Sequence, residues 1–74
     1  MSSGSQELGL WVRTKRLEQG LKVKELADNA HVSASYIYAV EAGHRGSRLA
    51  ELAGIARALG STLVELWQEA KMEG

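Results

Sequence analysis

The sequence contains no cysteine, no proline and no phenylalanine among its 74 residues. Without cysteine there is neither a disulfide nor a thiolate metal site to staple a small fold. Stability must then come from packing alone, which is marginal at this length because a small core removes little apolar surface from water. No apolar run approaches the ~20 residues of a membrane span. An excess of one charge is missing too, with nine basic and nine acidic residues and a formal net charge of zero. The opening six residues are short, polar and uncharged, unlike a secretory signal. We expect residues 1–5 to be a disordered N-terminal segment, 6–70 a single domain and 71–74 a C-terminal tail. What is present is 45% hydrophobic, against disorder. Leu, Ala and Glu are abundant and β-branched residues are sparse, which favours helix. The expectation is one cytoplasmic, all-α domain.

Glycines and polar caps divide the chain into five helices. The first should cover residues 6–19, with Leu8 and Val12 at i, i+4 and Gly20 at its stop. A second should cover 22–29 and bury Leu26, Ala27 and Ala30. A third should follow Ser33, a good N-cap, carry Ile37 and Val40 inward and end at Gly43. Ser47 should cap a fourth, with Leu49, Leu52, Ile55, Ala56 and Leu59 on one face and Gly60 at its end. Ser61 or Thr62 should cap a fifth, with Leu63, Leu66 and Ala70 on one stripe. No run alternates apolar and polar as a strand would.

The second and third helices are separated only by Ala30, His31 and Val32. Two short helices with a small residue, Ala27, at their crossing describe a helix-turn-helix. Val32, Ile37 and Val40 would anchor the third helix. Its outer side would carry Ala34, Ser35, Tyr38, Ala39 and Ala42. Charge is unevenly distributed around this unit. Residues 13–48 hold seven basic and four acidic side chains, whereas residues from 49 onward hold two basic and four acidic ones. A domain neutral overall can therefore still present a basic face.

Residues 8–67 resemble the phage-repressor/Cro (Xre-type) helix-turn-helix domains, most of all those of the lambdoid phage repressors. The resemblance is carried by Leu8-Gly9, Val12, Arg16, Gly20-Leu21, Glu25-Leu26-Ala27, Val32-Ser33, Ile37, Val40-Glu41-Ala42-Gly43 and Arg45. It continues through Ile55-Ala56-Arg57-Ala58-Leu59-Gly60 and Leu63-Val64-Glu65-Leu66. It implies the five-helix, lambda-repressor-like DNA-binding fold, with the helix-turn-helix at helices 2 and 3. The implied function is a sequence-specific transcriptional regulator, more often a repressor, acting as a homodimer on double-stranded operator DNA. It also implies that Arg16 and Glu41 pair across helices 1 and 3. A bidentate Arg–carboxylate pair fixes two helices in orientation.

By family position, Ala34, Ser35, Tyr38 and Ala39 should face base edges. The alanines offer only methyl contacts, to thymine above all, while Ser35 and Tyr38 can hydrogen-bond. Readout would thus lean on apolar contact and DNA shape. Lys22, Lys24, His44, Arg45, Ser47 and Arg48 lie at or near the starts of helices 2 and 4, where free N–H groups and the helix dipole favour phosphate. Each alone is an ordinary solvated side chain; their clustering points to the DNA backbone. For Tyr36 two readings stand, a phosphate contact or burial of its ring against neighbouring helices.

Two positions depart from the family pattern. Val23 stands where the family usually has Gln, so part of the usual polar network is missing. His31 stands where it usually has Gly, at a turn that often needs positive φ. Leu10, Trp11, Val64 and Trp67 exceed what the five-helix core requires. Two readings stand: burial in the core, the commoner fate of an aromatic at helical spacing, or an exposed cluster that marks a partner surface. The expected two-fold contact is made by the end of helix 4 and by helix 5, over Gly60 to Glu69, through Gly60, Ser61, Val64 and Trp67. An alternative function is a protein-interaction module on the same fold, such as an antitoxin or adaptor. No catalytic set, glycine-rich phosphate loop or metal-ligand spacing is present, so no enzyme, cofactor, metal or small-molecule substrate is expected.

Overall fold

A computed structural model describes residues 3–43 and 49–70. They form α1 (Ser3–Glu18), α2 (Val23–Ala30), α3 (Ala34–Glu41), α4 (Leu49–Ala58) and α5 (Leu63–Ala70). Among the described residues there is no strand, and no helix is long and apolar enough to cross a membrane. The all-α, five-helix architecture therefore stands, with α2 and α3 as the helix-turn-helix. One boundary is corrected. The first helix begins at Ser3, not at residue 6, so residues 3–5 extend α1. The small polar residues there carry no apolar periodicity that could have announced them. The expected cap Ser47 and the tail 71–74 lie outside the described residues.

Three helices end in the same way. The N–H of Leu21 reaches the Arg16 carbonyl at 3.0 Å, that of Val32 reaches Ala27 at 3.0 Å and that of Ser61 reaches Ala56 at 2.8 Å. Each closes a Schellman turn, which needs a left-handed residue just before the donor. Gly20 and Gly60 supply it at φ 70° and 72°, and His31 supplies it at φ 60°. His31 is the one non-glycine with positive φ among the described residues. This is the strained turn expected where the family usually has Gly, and it costs about 1 kcal/mol. Helix starts are capped in turn. Ser33 Oγ accepts the Tyr36 N–H at 3.1 Å. Thr62 Oγ1 accepts the Glu65 N–H while Glu65 Oε1 accepts the Thr62 N–H, both at 3.1 Å, a complete capping box. At α2 the Glu25 carboxylate accepts the Lys22 N–H at 2.8 Å.

The helices pack α1 on α3 and α5, α2 on α3 and α4, and α4 on α5. At the centre lie Leu8, Val12, Leu26, Ile37, Val40, Ile55 and Leu66, all fully buried. Ala27 is buried where α2 crosses α3, and Val23 joins the core rather than facing outward. The two additional apolar residues of α1, Leu10 and Trp11, separate. Trp11 is buried, whereas Leu10 is 65% exposed. Trp11 is held by a partner far along the chain: its indole N–H donates to Glu69 Oε1 at 2.9 Å. Lys15 bridges the same oxygen at 3.2 Å, with its ammonium 5.8 Å from the Trp11 ring centroid. This latch fixes α5 against α1.

Candidate nucleic-acid interface

The geometry of α3 is set by what α1 does to its C-terminal end. Gly9 lies so close to α3 that a Cβ there would stand 2.8 Å from the Glu41 carbonyl oxygen and nearer still to that of Val40. Only a residue without a side chain lets the two backbones approach this far. Two turns further along α1, Arg16 clamps the same end. Its Nε donates to Glu41 Oε2 at 2.8 Å, its Nη2 to Glu41 Oε1 at 3.1 Å and its Nη1 to the Leu21 carbonyl at 2.9 Å. Both side chains are largely shielded, 12% and 9% exposed. Donation to the Glu41 carboxylate holds the Arg16 guanidinium even more firmly protonated than usual, against the opposing effect of burial. The expected ion pair is therefore present, and it fixes helix orientation.

On the opposite flank α3 is tied to α4. The Tyr36 hydroxyl donates to Glu51 Oε1 at 2.8 Å, and its ring packs against the core. Of the two readings for Tyr36, the ring burial is what the structure contains. The hydroxyl hydrogen is committed to a carboxylate, and a phosphate offers only acceptors. A phosphate contact by Tyr36 would have to break that bond, so the geometry does not favour it. Glu51 was not singled out in the sequence; nothing local marks a carboxylate on α4 as the partner of an aromatic on α3.

Between these two anchors the outer side of α3 is left open. Ser35, Tyr38 and Ala42 are exposed, Tyr38 at 63%. Ala39 is half-buried, and Ala34 is half-buried against the core. Ala34 thus contributes less outward surface than its position in the sequence suggested. Lys22 and Lys24 are exposed at the start of α2. His44, Arg45, Ser47 and Arg48 lie outside the described residues. Gly60, Val64 and Trp67 are exposed and Ser61 is half-buried. Val64 and Trp67 share one side of α5 at i, i+3. Among the described residues no group of His, Cys, Asp and Glu is placed to hold a metal ion.

The arrangement presents a short rigid helix, with mixed methyl and hydroxyl groups, beside the cationic start of α2. The helix-turn-helix family profile matches residues 12–66. No curated protein matches the sequence. Solved structures do. The clp gene regulator ClgR of Corynebacterium glutamicum is similar at 29% identity with a TM-score of 0.86, over 92% of this chain and 87% of that one. The restriction-modification controller protein C.Esp1396I, seen as a tetramer with its natural 35-base-pair operator, matches at 21% identity and a TM-score of 0.86. That match covers 96% of this chain and 93% of the controller protein, and it speaks for the fold.

Proposed function

Because the chain belongs to the Xre-type helix-turn-helix family of DNA-binding transcription regulators, we propose that it represses transcription by binding a palindromic operator as a homodimer through the major groove. The observation that carries this reading is the open side of α3, with Ser35 and Tyr38 outermost, held rigid by the Gly9 contact and the Arg16–Glu41 clamp. A recognition helix needs this combination of an exposed edge and a fixed orientation. Ser35 and the Tyr38 hydroxyl hydrogen-bond base edges, while Ala34 and Ala39 supply methyl contacts to thymine. Lys22 and Lys24 neutralise phosphates at the start of α2, Arg45 and Arg48 do the same before α4, and His44 and Ser47 hydrogen-bond phosphate oxygens there. Repression is steric: a dimer on an operator that overlaps a promoter excludes polymerase. The naming of ClgR as a gene regulator supports a role in transcription over one as an adaptor.

Selection of genomic fragments by the purified protein, followed by footprinting, tests this. The expected result is a protected palindrome whose half-sites lie about 34 Å apart, one helical turn. Failure to retain any duplex at low ionic strength refutes the reading.

A further inference from the structure

Beside the open side of α3 lies a cleft of about 320 Å³, lined by Arg13, Arg16, Tyr38, Glu41 and Ala42. Its charges do not balance. The Arg16 cation is answered by the Glu41 carboxylate, and its three bonded nitrogens are all directed inward, to Glu41 and to the Leu21 carbonyl. Arg13, one turn earlier on α1, is exposed and makes no ion pair or hydrogen bond among the described residues. The remaining walls are a phenol and a methyl group. An open cleft with one uncompensated guanidinium selects an anion, and the planar fork of arginine suits phosphate oxygens. The position follows from packing. The Gly9 contact draws α1 onto the end of α3, and Arg13 lies between Gly9 and Arg16 on that same side of the helix. The cation is thereby placed level with Tyr38 and Ala42, just outside the surface assigned to bases.

We propose that this cleft seats a phosphodiester of the DNA strand that passes the C-terminal end of α3, with the Arg13 guanidinium as its ligand. This extends the interface onto α1, beyond the helix starts. It rests on the regulator reading, and it adds a contact that carries no sequence information.

The test compares wild type, Arg13→Gln and Arg57→Gln on the selected operator fragment and on a scrambled duplex of equal length, by fluorescence anisotropy across a salt series. Arg57 is an exposed cation on α4, beside the end of α2 and away from this cleft, and serves as the control. Loss of one phosphate contact lowers the slope of log affinity against log salt by about 0.9, which amounts to roughly five- to tenfold at 0.1 M salt. Arg13→Gln is expected to show that loss equally on both duplexes, with an unchanged melting temperature; Arg57→Gln should keep the wild-type slope. An unchanged slope in Arg13→Gln, or a loss confined to the operator, overturns the phosphate seat while leaving the regulator reading intact. Wild type that binds neither duplex overturns both.

Discussion

At the residue scale the decisive position is Gly9. Replacing glycine by alanine inside a helix ordinarily stabilises it by roughly 0.5–1 kcal/mol. Here the added methyl meets two backbone carbonyls of α3, which cannot rotate away as a side chain would. We predict that Gly9→Ala destabilises the domain by about 1–3 kcal/mol, the usual cost of overpacking, and weakens DNA binding with it. A melting temperature at or above wild type would contradict the close approach. The second residue-scale prediction concerns Glu41. Removing one partner of a shielded ion pair strands the other, at a cost of about 3 kcal/mol. In a domain of this size that lowers the melting temperature by more than about 10 °C. Glu41→Ala should show this drop; an unchanged melting temperature refutes the role of the pair. How legible these residues were differs. The Arg16–Glu41 pair was foreseen only through the family resemblance, because its two members lie 25 positions apart. Gly9 belongs to the same resemblance, and its reason is a backbone contact that no periodicity encodes.

At the scale of elements, the sequence announced the helices well wherever a stop or cap is chemical. Gly20, Gly60, Ser33 and Thr62 mark boundaries because their backbone or side-chain chemistry is local. The start of α1 was missed because Ser3, Gly4 and Ser5 carry no such mark. The outer side of α3 was legible from spacing alone, apart from the shielding of Ala34 by neighbouring helices. The docking of α5 was not legible, since it depends on a bond between residues 58 positions apart, Trp11 and Glu69. That latch gives an element-scale prediction. The Trp11 N–H, with Lys15 second, holds the Glu69 carboxyl below the ordinary carboxylate range. A carboxylate favoured in the folded state stabilises above its unfolded pKa, and the contribution is lost as pH falls through the lower folded value. The α1–α5 latch should therefore hold at neutral pH and loosen only in acid, below the ordinary carboxylate range. In a Trp67→Phe background, Trp11 fluorescence should shift to the red through that acid window, and Glu69→Gln should abolish the pH dependence without a comparable change at pH 7. A transition identical in Glu69→Gln would show that another group is responsible.

At the scale of the whole molecule, the domain measures 30 × 22 × 21 Å. In the proposed dimer one copy covers one half-site, and the two copies meet so that their α3 helices lie about 34 Å apart. The contact must then use an edge away from α3. Val64 and Trp67 provide exposed apolar surface on such an edge, 64% and 38% exposed. A Val64→Glu/Trp67→Glu double variant is expected to remain folded, because neither side chain belongs to the buried core. It should sediment as a monomer at concentrations where wild type is dimeric, and its operator affinity should fall toward that of one half-site. A variant that stays dimeric, or a wild type that is monomeric both free and on operator, contradicts this interface.

The central claim is that the open side of α3 reads base sequence. Its most direct measurement is the ratio of affinities for the selected operator and a scrambled duplex at one fixed salt concentration, for wild type and for Ser35→Ala/Tyr38→Ala. The account predicts that the double variant melts like wild type, binds the scrambled duplex nearly as well and loses at least about tenfold in the ratio, as expected when base-edge contacts are removed. An undiminished ratio would mean that sequence is read elsewhere on the molecule.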